Sequence, residues 1–261
     1  METESTDVAE VQSNLPAEML AGMQEQAGQG FEDTTAEDYA IPYLSIAHGT
    51  SKAMKKGGAE YIEGLQLGDI FDPVSGDIYE TVTIVPILRQ RFHVEWDDRQ
   101  FVERYTQAES PMDTTTRNEK GHDILPNGNT LIDTVYLYAL IVTPEDRANV
   151  PVVISFARTS AKVYKKMMNR ANKIRLQGPN GPFQPPLHSH MYVLGTALET
   201  SKNGDDFYNW RCDPNPTLIT DENLWREAET LRAQIASGER SAADPNDEAE
   251  TDAESAEVDN F

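Results

Sequence analysis

The sequence predicts a mainly β protein of the α+β class, and three patterns predict it. Segments rich in Thr, Val, Ile and aromatic residues recur between turn-like PNGN (Pro126 to Asn129) and KNGDD (Lys202 to Asp206) stretches. Only two long segments in the second half carry helical spacing, Thr159 to Arg175 and Thr220 to Ser237. Both ends are acidic and poor in aromatic residues, so they cannot bury enough surface to offset the entropy of ordering.

Each element has its local cause. Leu15, Met19 and Met23 fall at helical spacing, so Pro16 to Gln26 reads as a short helix. Thr81 to Trp96 is strand-like, and Pro86 divides it into two pieces with an edge or a bend at the proline. Leu131 to Val142 alternates most clearly. Val135, Leu137, Ala139 and Ile141 make one apolar face, and Tyr136 and Tyr138 share the other. Pro151 to Ala157, His190 to Glu199 and Asp206 to Cys212 add strands. The Thr159 to Arg175 helix opens on a Thr-Ser cap and repeats Val163, Met167, Ala171 and Ile174. The Thr220 to Ser237 helix opens on TDEN, runs through Leu224, Leu231 and Ile235, and stops at Gly238. Short strands with one interposed helix fit an OB-like β-barrel with a C-terminal helix and disordered acidic termini. The expected division is an acidic N-terminal extension over 1–39, a core over 40–219, a C-terminal helix over 220–238 and an acidic tail over 239–261.

Charge is divided unevenly along the 261 residues. The formal net charge is -22, yet residues 1–40 carry ten acids and no base, and residues 221–261 carry thirteen acids against three bases. The ends therefore hold -10 each and the middle only -2. A global pI near 4.5 argues against binding a polyanion, but the near-neutral middle removes that objection. One cysteine, Cys212, excludes an intrachain disulfide framework and a multi-thiolate zinc site, which fits a reducing cytoplasm. No apolar run reaches the roughly 18 residues of a membrane span, and METESTDVAE is acidic where a secretory signal is basic, so no membrane partner is expected.

Two basic groups stand out. Arg158, Lys162, Lys165, Lys166, Arg170, Lys173 and Arg175 are seven bases with no acid among them. Lys162, Lys165, Lys166, Arg170 and Lys173 cluster opposite the apolar stripe of their helix. That face is either a solvated amphipathic surface or a phosphate-tracking one, since like charges on one face repel unless an anion offsets them. In the second group Arg89, Arg91, His93, Arg99 and Arg104 interleave with Phe92, Trp96, Phe101 and Tyr105, a composition suited to a basic groove with stacking rings. The competing reading sends Phe92, Val94 and Trp96 into the core and the arginines to water, most readily for Phe92 and Val94. Tyr136 and Tyr138 are the better stacking candidates, because they share the face opposite an apolar one; a sheet-helix contact would use them equally well.

Little points to catalysis. His188 and His190 sit two apart with no third ligand at a supporting spacing. Phosphate-loop, nucleophile-elbow and dinucleotide fingerprints are missing. The expectation is a non-enzymatic protein without cofactor or metal. The tail ends in EVDNF, placing Phe261 and the chain carboxylate at the end of an anionic line that can dock in a basic pocket with an apolar floor.

The β-rich core with an interposed helix, the basic and aromatic interleaving and the acidic tail closed by Phe261 together resemble the single-stranded DNA-binding proteins of tailed bacteriophages. Ala40 to Tyr79, with IPYLSI and EYIEGLQLGDIFDPVSGDIY, and Thr114 to Thr134, with TTTRNEKGHDILPNGNTLIDT, also look like stretches of phage early-region proteins. The resemblance implies an OB-fold that coats exposed single strands in the host cytoplasm during phage replication and recombination. It also implies a tail that contacts the phage DNA polymerase or helicase-primase, with Glu250, Asp252, Glu254, Glu257, Asp259 and Phe261 carrying the contact. The tail is less densely acidic than the family's typical one, and the acidic N-terminus is a departure from it. On this view Arg89, Arg91, Arg158, Lys162, Lys165, Lys166, Arg170 and Lys173 neutralise phosphates and Trp96, Tyr136 and Tyr138 stack bases. Oligomeric state stays open, a homodimer included. The alternative from another class is an acidic DNA mimic that inhibits a host DNA-binding enzyme, which the whole-chain charge favours and the near-neutral middle disfavours.

Overall fold

The computed structural model describes residues 16–26, 29–30, 40–98, 100–144, 147–201 and 204–243. Helix α1 (Ala17–Glu25) forms as its spacing predicts and buries none of its residues; Met19 and Met23 are exposed. Three short strands, β1 (Ser45–Ile46), β2 (Ile70–Phe71) and β3 (Ile78–Tyr79), then make a small antiparallel sheet.

The large sheet starts with β4 (Thr81–Asp97), β5 (Gln100–Thr106), β6 (Thr116–Arg117), β7 (Asp123–Ile124), β8 (Thr130–Ile141) and β9 (Val150–Ala157). Helix α2 (Ala161–Ala171) and the hairpin β10 (Leu176–Gly178) and β11 (Gly181–Phe183) are interposed. Then come β12 (His190–Thr200), β13 (Asp206–Cys212), β14 (Thr217–Leu218) and helix α3 (Glu222–Ser237). Because β4 and β8 are long, they carry different neighbours at their two ends. One end reads β13-β12-β4-β8-β9 and the other β5-β4-β8-β7-β6, all antiparallel. The result is a mainly β, α+β fold with a curled half-barrel sheet, consistent with the OB-like class expected.

Pro86 does not split β4. The strand runs 17 residues, and the register shifts between Pro86 and Leu88. Ile87 is the extra residue of a β-bulge, where a proline lacking an N–H costs no ladder bond. The bulge also reverses side-chain parity. Val82 and Ile84 face inward before it, whereas Arg89 and Arg91 share the inner face after it, opposite Leu137 and Val135. Phe92, Val94 and Trp96 point to the outer face, as the alternation reading expects.

Both faces of the sheet are covered. The inner core holds Ile84, Leu137, Ile154, Phe156, Tyr192 and Trp210, and α2 inserts Tyr164 and Met167 into it. Outside, α3 lays Leu224, Ala228, Leu231 and Ile235 on Val85, Tyr136, Tyr138 and Leu140, at the i, i+4, i+7, i+11 spacing of one helix face. Asp221 caps α3 by accepting from the Asn223 N–H (2.8 Å), and Gly238 ends it at φ 79°. Residues 42–44 run along the free side of β9, with Leu44 N–H donating to Val153 O (2.8 Å) and Val153 N–H to Pro42 O (2.7 Å). The Thr196 hydroxyl of β12 donates to Gly68 O (2.6 Å), and the Tyr208 ring of β13 covers Gly68 so closely that a Cβ there would meet it at 2.4 Å.

The chain beyond α3 stays on the body. Ile41 N–H donates to Ser241 O (2.8 Å), Ala243 N–H donates to Ile41 O (3.0 Å), and Ala242 and Ala243 are buried. Residues 241–243, which the sequence assigns to the tail, are thus tied to the core, with Ala242 and Ala243 packed into it.

Candidate functional site

The inner face of β4 meets the N-terminal half of α2 at one place. There Arg89 donates through Nη1 to the Tyr164 hydroxyl (3.2 Å), whose buried ring lies 5.6 Å from Phe156. Around this contact a cleft of about 560 Å³ opens between α2 and residues 184–190. Arg89 and Lys165 contribute its cations, Asn169, Asn172 and Gln184 its amides, and among the described residues no carboxylate lines it. Lys162, Lys165, Lys166 and Lys173 are exposed and make no ion pair among the described residues. The two basic groups of the sequence, 75 positions apart at Arg89 and Tyr164, therefore converge.

Not every predicted base joins this surface. Arg91 extends the row but pairs with Asp133 (Nε to Oδ1, 3.3 Å). Arg158 sits half-buried at the β9–α2 turn with φ 43°, a left-handed conformation uncommon outside glycine. Arg170 turns away from the lysines and donates to the carbonyls of Cys212 (3.3 Å) and Asp213 (3.4 Å), tying α2 to the end of β13. Burial pushes the neighbouring Cys212 thiol up to about 11, although Arg170 opposes it.

The expected stacking rings are placed differently from the sequence reading. Tyr136 and Tyr138 are 3% and 2% exposed beneath α3. Tyr138 donates to Gln90 Oε1 (2.9 Å), and Tyr136 packs edge-on against Tyr43 at 5.3 Å, with the Arg104 guanidinium 5.6 Å above its ring. Their face is apolar on both sides of the contact, so they serve the sheet-helix packing and present no ring to a base. Trp96 is half-buried edge-on to Phe101 (6.0 Å), on the face opposite Arg89 and Arg91. Arg89 and Arg91 therefore share no groove with Phe92 and Trp96, whereas Arg104 lies over the Phe92 ring at 5.1 Å on the outer face.

Phe183 is the exposed aromatic ring among the described residues, at 46%. Its ring covers Gly178, where an added Cβ would come within 3.1 Å of it. The next residue, Gln184, lines the cleft and donates to Asn172 Oδ1 (3.0 Å). The turn signal Pro179-Asn180-Gly181 just before this ring marks the hairpin that carries it, and that signal was available in the sequence.

Two further polar groups occupy the body. Glu95, 3% exposed, accepts from the Tyr105 hydroxyl (2.6 Å), Asn127 Nδ2 (2.8 Å) and Asn129 Nδ2 (2.6 Å). Burial pushes its carboxyl up, but those three donors outweigh the burial and hold it below the usual range. His188 is buried with its ring 4.7 Å from Trp225, and His190 shares a 2.6 Å hydrogen bond with the Ser189 hydroxyl. Burial lowers both imidazoles, so they are neutral near pH 7. Among the described residues no three His, Cys, Asp or Glu side chains converge as a metal site would need. No helix among them is long and apolar enough to cross a membrane. Glu250, Asp252, Glu254, Glu257, Asp259 and Phe261 lie outside the described residues.

Comparison with known proteins adds one match. No curated protein and no solved structure matches the chain. A family model described as Pam3 phage gp34-like protein matches residues 10–241, most of the length. The chain therefore belongs to the Pam3 phage gp34-like family and is a phage protein.

Proposed function

We propose that this chain is a sequence-nonspecific single-stranded DNA-binding protein of phage DNA replication and recombination, acting by coating and without catalysis or cofactor. The observation that carries the reading is the convergence of Arg89 and Lys165 in a cleft that no carboxylate lines among the described residues, beside Lys162, Lys166 and Lys173, which make no ion pair among those residues. Phosphate backbones are held by such cations, and single strands add stacking on exposed rings. Phe183, next in sequence to the cleft-lining Gln184, takes the stacking role first expected of Tyr136 and Tyr138. The acidic tail recruits the phage polymerase or helicase-primase. The net charge of -22 favours the second reading, a DNA mimic directed at a host DNA-binding enzyme.

Fluorescence anisotropy of labelled oligothymidine, with duplex competitor and a salt titration, separates the two. A coating protein binds tightly at low salt, and the Lys162→Ala, Lys165→Ala, Lys166→Ala triple variant lowers the log-log salt slope by about 0.7 for each phosphate no longer neutralised. An unchanged slope would remove α2 from the interface. No binding at any salt would retire the coating role and leave the mimic.

A further inference from the structure

A cleft of about 560 Å³ falls within the roughly 300–1,000 Å³ class of small-ligand pockets, whereas a surface that only tracks a backbone needs no such depth. Its chemistry is divided. Arg89 and Lys165 supply positive charge, and among the described residues no carboxylate on the lining cancels it. One guanidinium donor of Arg89 is committed to Tyr164, which fixes the plane of the fork and leaves further N–H groups for a phosphate. Met168, Ile174 and Leu187 form an apolar wall. The side-chain amides of Asn169, Asn172 and Gln184 complete the polar part of the lining. Gln184 Nε2 already donates to Asn172 Oδ1 (3.0 Å), which leaves the Asn172 NH2, the Gln184 oxygen and the whole Asn169 amide, donors and acceptors both, for the edge of a base.

We infer that this cleft is a pocket for one nucleotide unit, with its phosphate on Arg89 and Lys165 and its base against Met168, Ile174 and Leu187. As the seat of a strand's nucleotide, the inference rests on the single-strand reading above. The same chemistry is offered by a free mononucleotide. A base held in a duplex reaches such a recess only by leaving the stack, so a pocket of this kind favours a strand over a duplex.

The test uses the full chain and two variants. Asn169 is exposed on α2 and lines the cleft, so Asn169→Trp fills the recess from outside the core, and Lys165→Glu reverses one of its charges. Thermal melts confirm that each variant is folded. Calorimetric titration with thymidine 5′-monophosphate, thymidine and inorganic phosphate is run beside oligothymidine anisotropy. The expected result is that the monophosphate binds more tightly than either thymidine or phosphate. Both variants should weaken it at least tenfold, and Asn169→Trp should weaken oligothymidine without altering its salt slope. Monophosphate binding that Asn169→Trp leaves intact overturns the pocket, as does phosphate binding equal to that of the nucleotide. Oligothymidine binding untouched by Asn169→Trp, with no mononucleotide bound, overturns the pocket while the coating role survives. Mononucleotide bound in the cleft without any strand affinity retires the coating role instead and identifies the free nucleotide as the ligand.

Discussion

Arg89 Nη1 and the Tyr164 hydroxyl, 3.2 Å apart, join β4 to α2 and hold the guanidinium at the mouth of the cleft. Tyr164→Phe keeps the ring on Phe156 and removes only this bond. Because Arg89 is exposed, the expected loss of stability is about 0.5–1 kcal/mol, the low end for a hydrogen bond, read by urea unfolding. The charge of Arg89 remains, so oligothymidine affinity should fall about two- to fivefold with an unchanged salt slope. A changed slope would mean that Arg89 meets phosphate only when Tyr164 holds it.

Phe183 and Tyr138 should separate binding from stability. Phe183→Ala removes an exposed ring and should leave the melting temperature nearly unchanged while lowering single-strand affinity by about 1–3 kcal/mol, the worth of one stacked base. Tyr138→Ala empties a buried site under α3 and should cost about 3–5 kcal/mol of stability, as for other large buried aromatics. The paired measurement is anisotropy beside chemical denaturation. A Phe183→Ala protein that binds like the wild type would leave the interface without a stacking ring.

Local pattern carried the strands and helices, and distance in sequence hid the site. The alternation of Val135, Leu137, Ala139 and Ile141 sets which face of β8 each side chain takes. It does not show that the opposite face, with Tyr136 and Tyr138, is roofed by Leu224, Ala228, Leu231 and Ile235 from α3. Pro86 reads locally as a break, yet pairing on both sides of β4 keeps the strand whole and turns the proline into a bulge, which also decides the face of Arg89 and Arg91. A helical wheel groups Arg170 with the lysines because the carbonyls it serves, at Cys212 and Asp213, lie more than forty residues away. Phe183 is the opposite case: its turn signal was local.

Glu95 predicts a pH dependence of stability at both ends. Its carboxyl is held below the ordinary 4.5 by its three donors after burial is overcome, so the stabilisation is complete above 4.5 and is lost as pH falls through the lower folded value. Tyr105 is pushed up to about 12, first by its hydrogen bond to Glu95 and then by burial. Its contribution is complete below 10 and disappears as pH rises toward about 12. Glu95→Gln should cost about 1–3 kcal/mol at pH 7, because an amide cannot accept from all three donors. The gap to wild type should narrow on acidification, measured by melts between pH 3 and pH 7 on the order of one unit apart. A gap that stays constant would show that the carboxylate is not what the three donors stabilise.

The last buried residues of the chain set where it can be shortened. Ser241 and Ala243 exchange hydrogen bonds with Ile41, and Ala242 and Ala243 are buried beside Tyr136 and Tyr138. Ending the protein at Ala243 removes eight acids and no buried residue among the described ones, so stability should be unchanged. Ending it at Gly238 removes the two backbone hydrogen bonds to Ile41, about 1 kcal/mol each, and two buried alanines, besides the helix-end bonds that Glu239 and Arg240 donate to Gln234 O, so the loss should reach about 2–4 kcal/mol. Differential scanning calorimetry of the two shortened proteins checks this directly. Equal melting temperatures would mean that residues 239–243 contribute nothing to the fold. Anisotropy on the Ala243 form then measures the effect of the tail's charge on strand binding without the confusion of a loosened core.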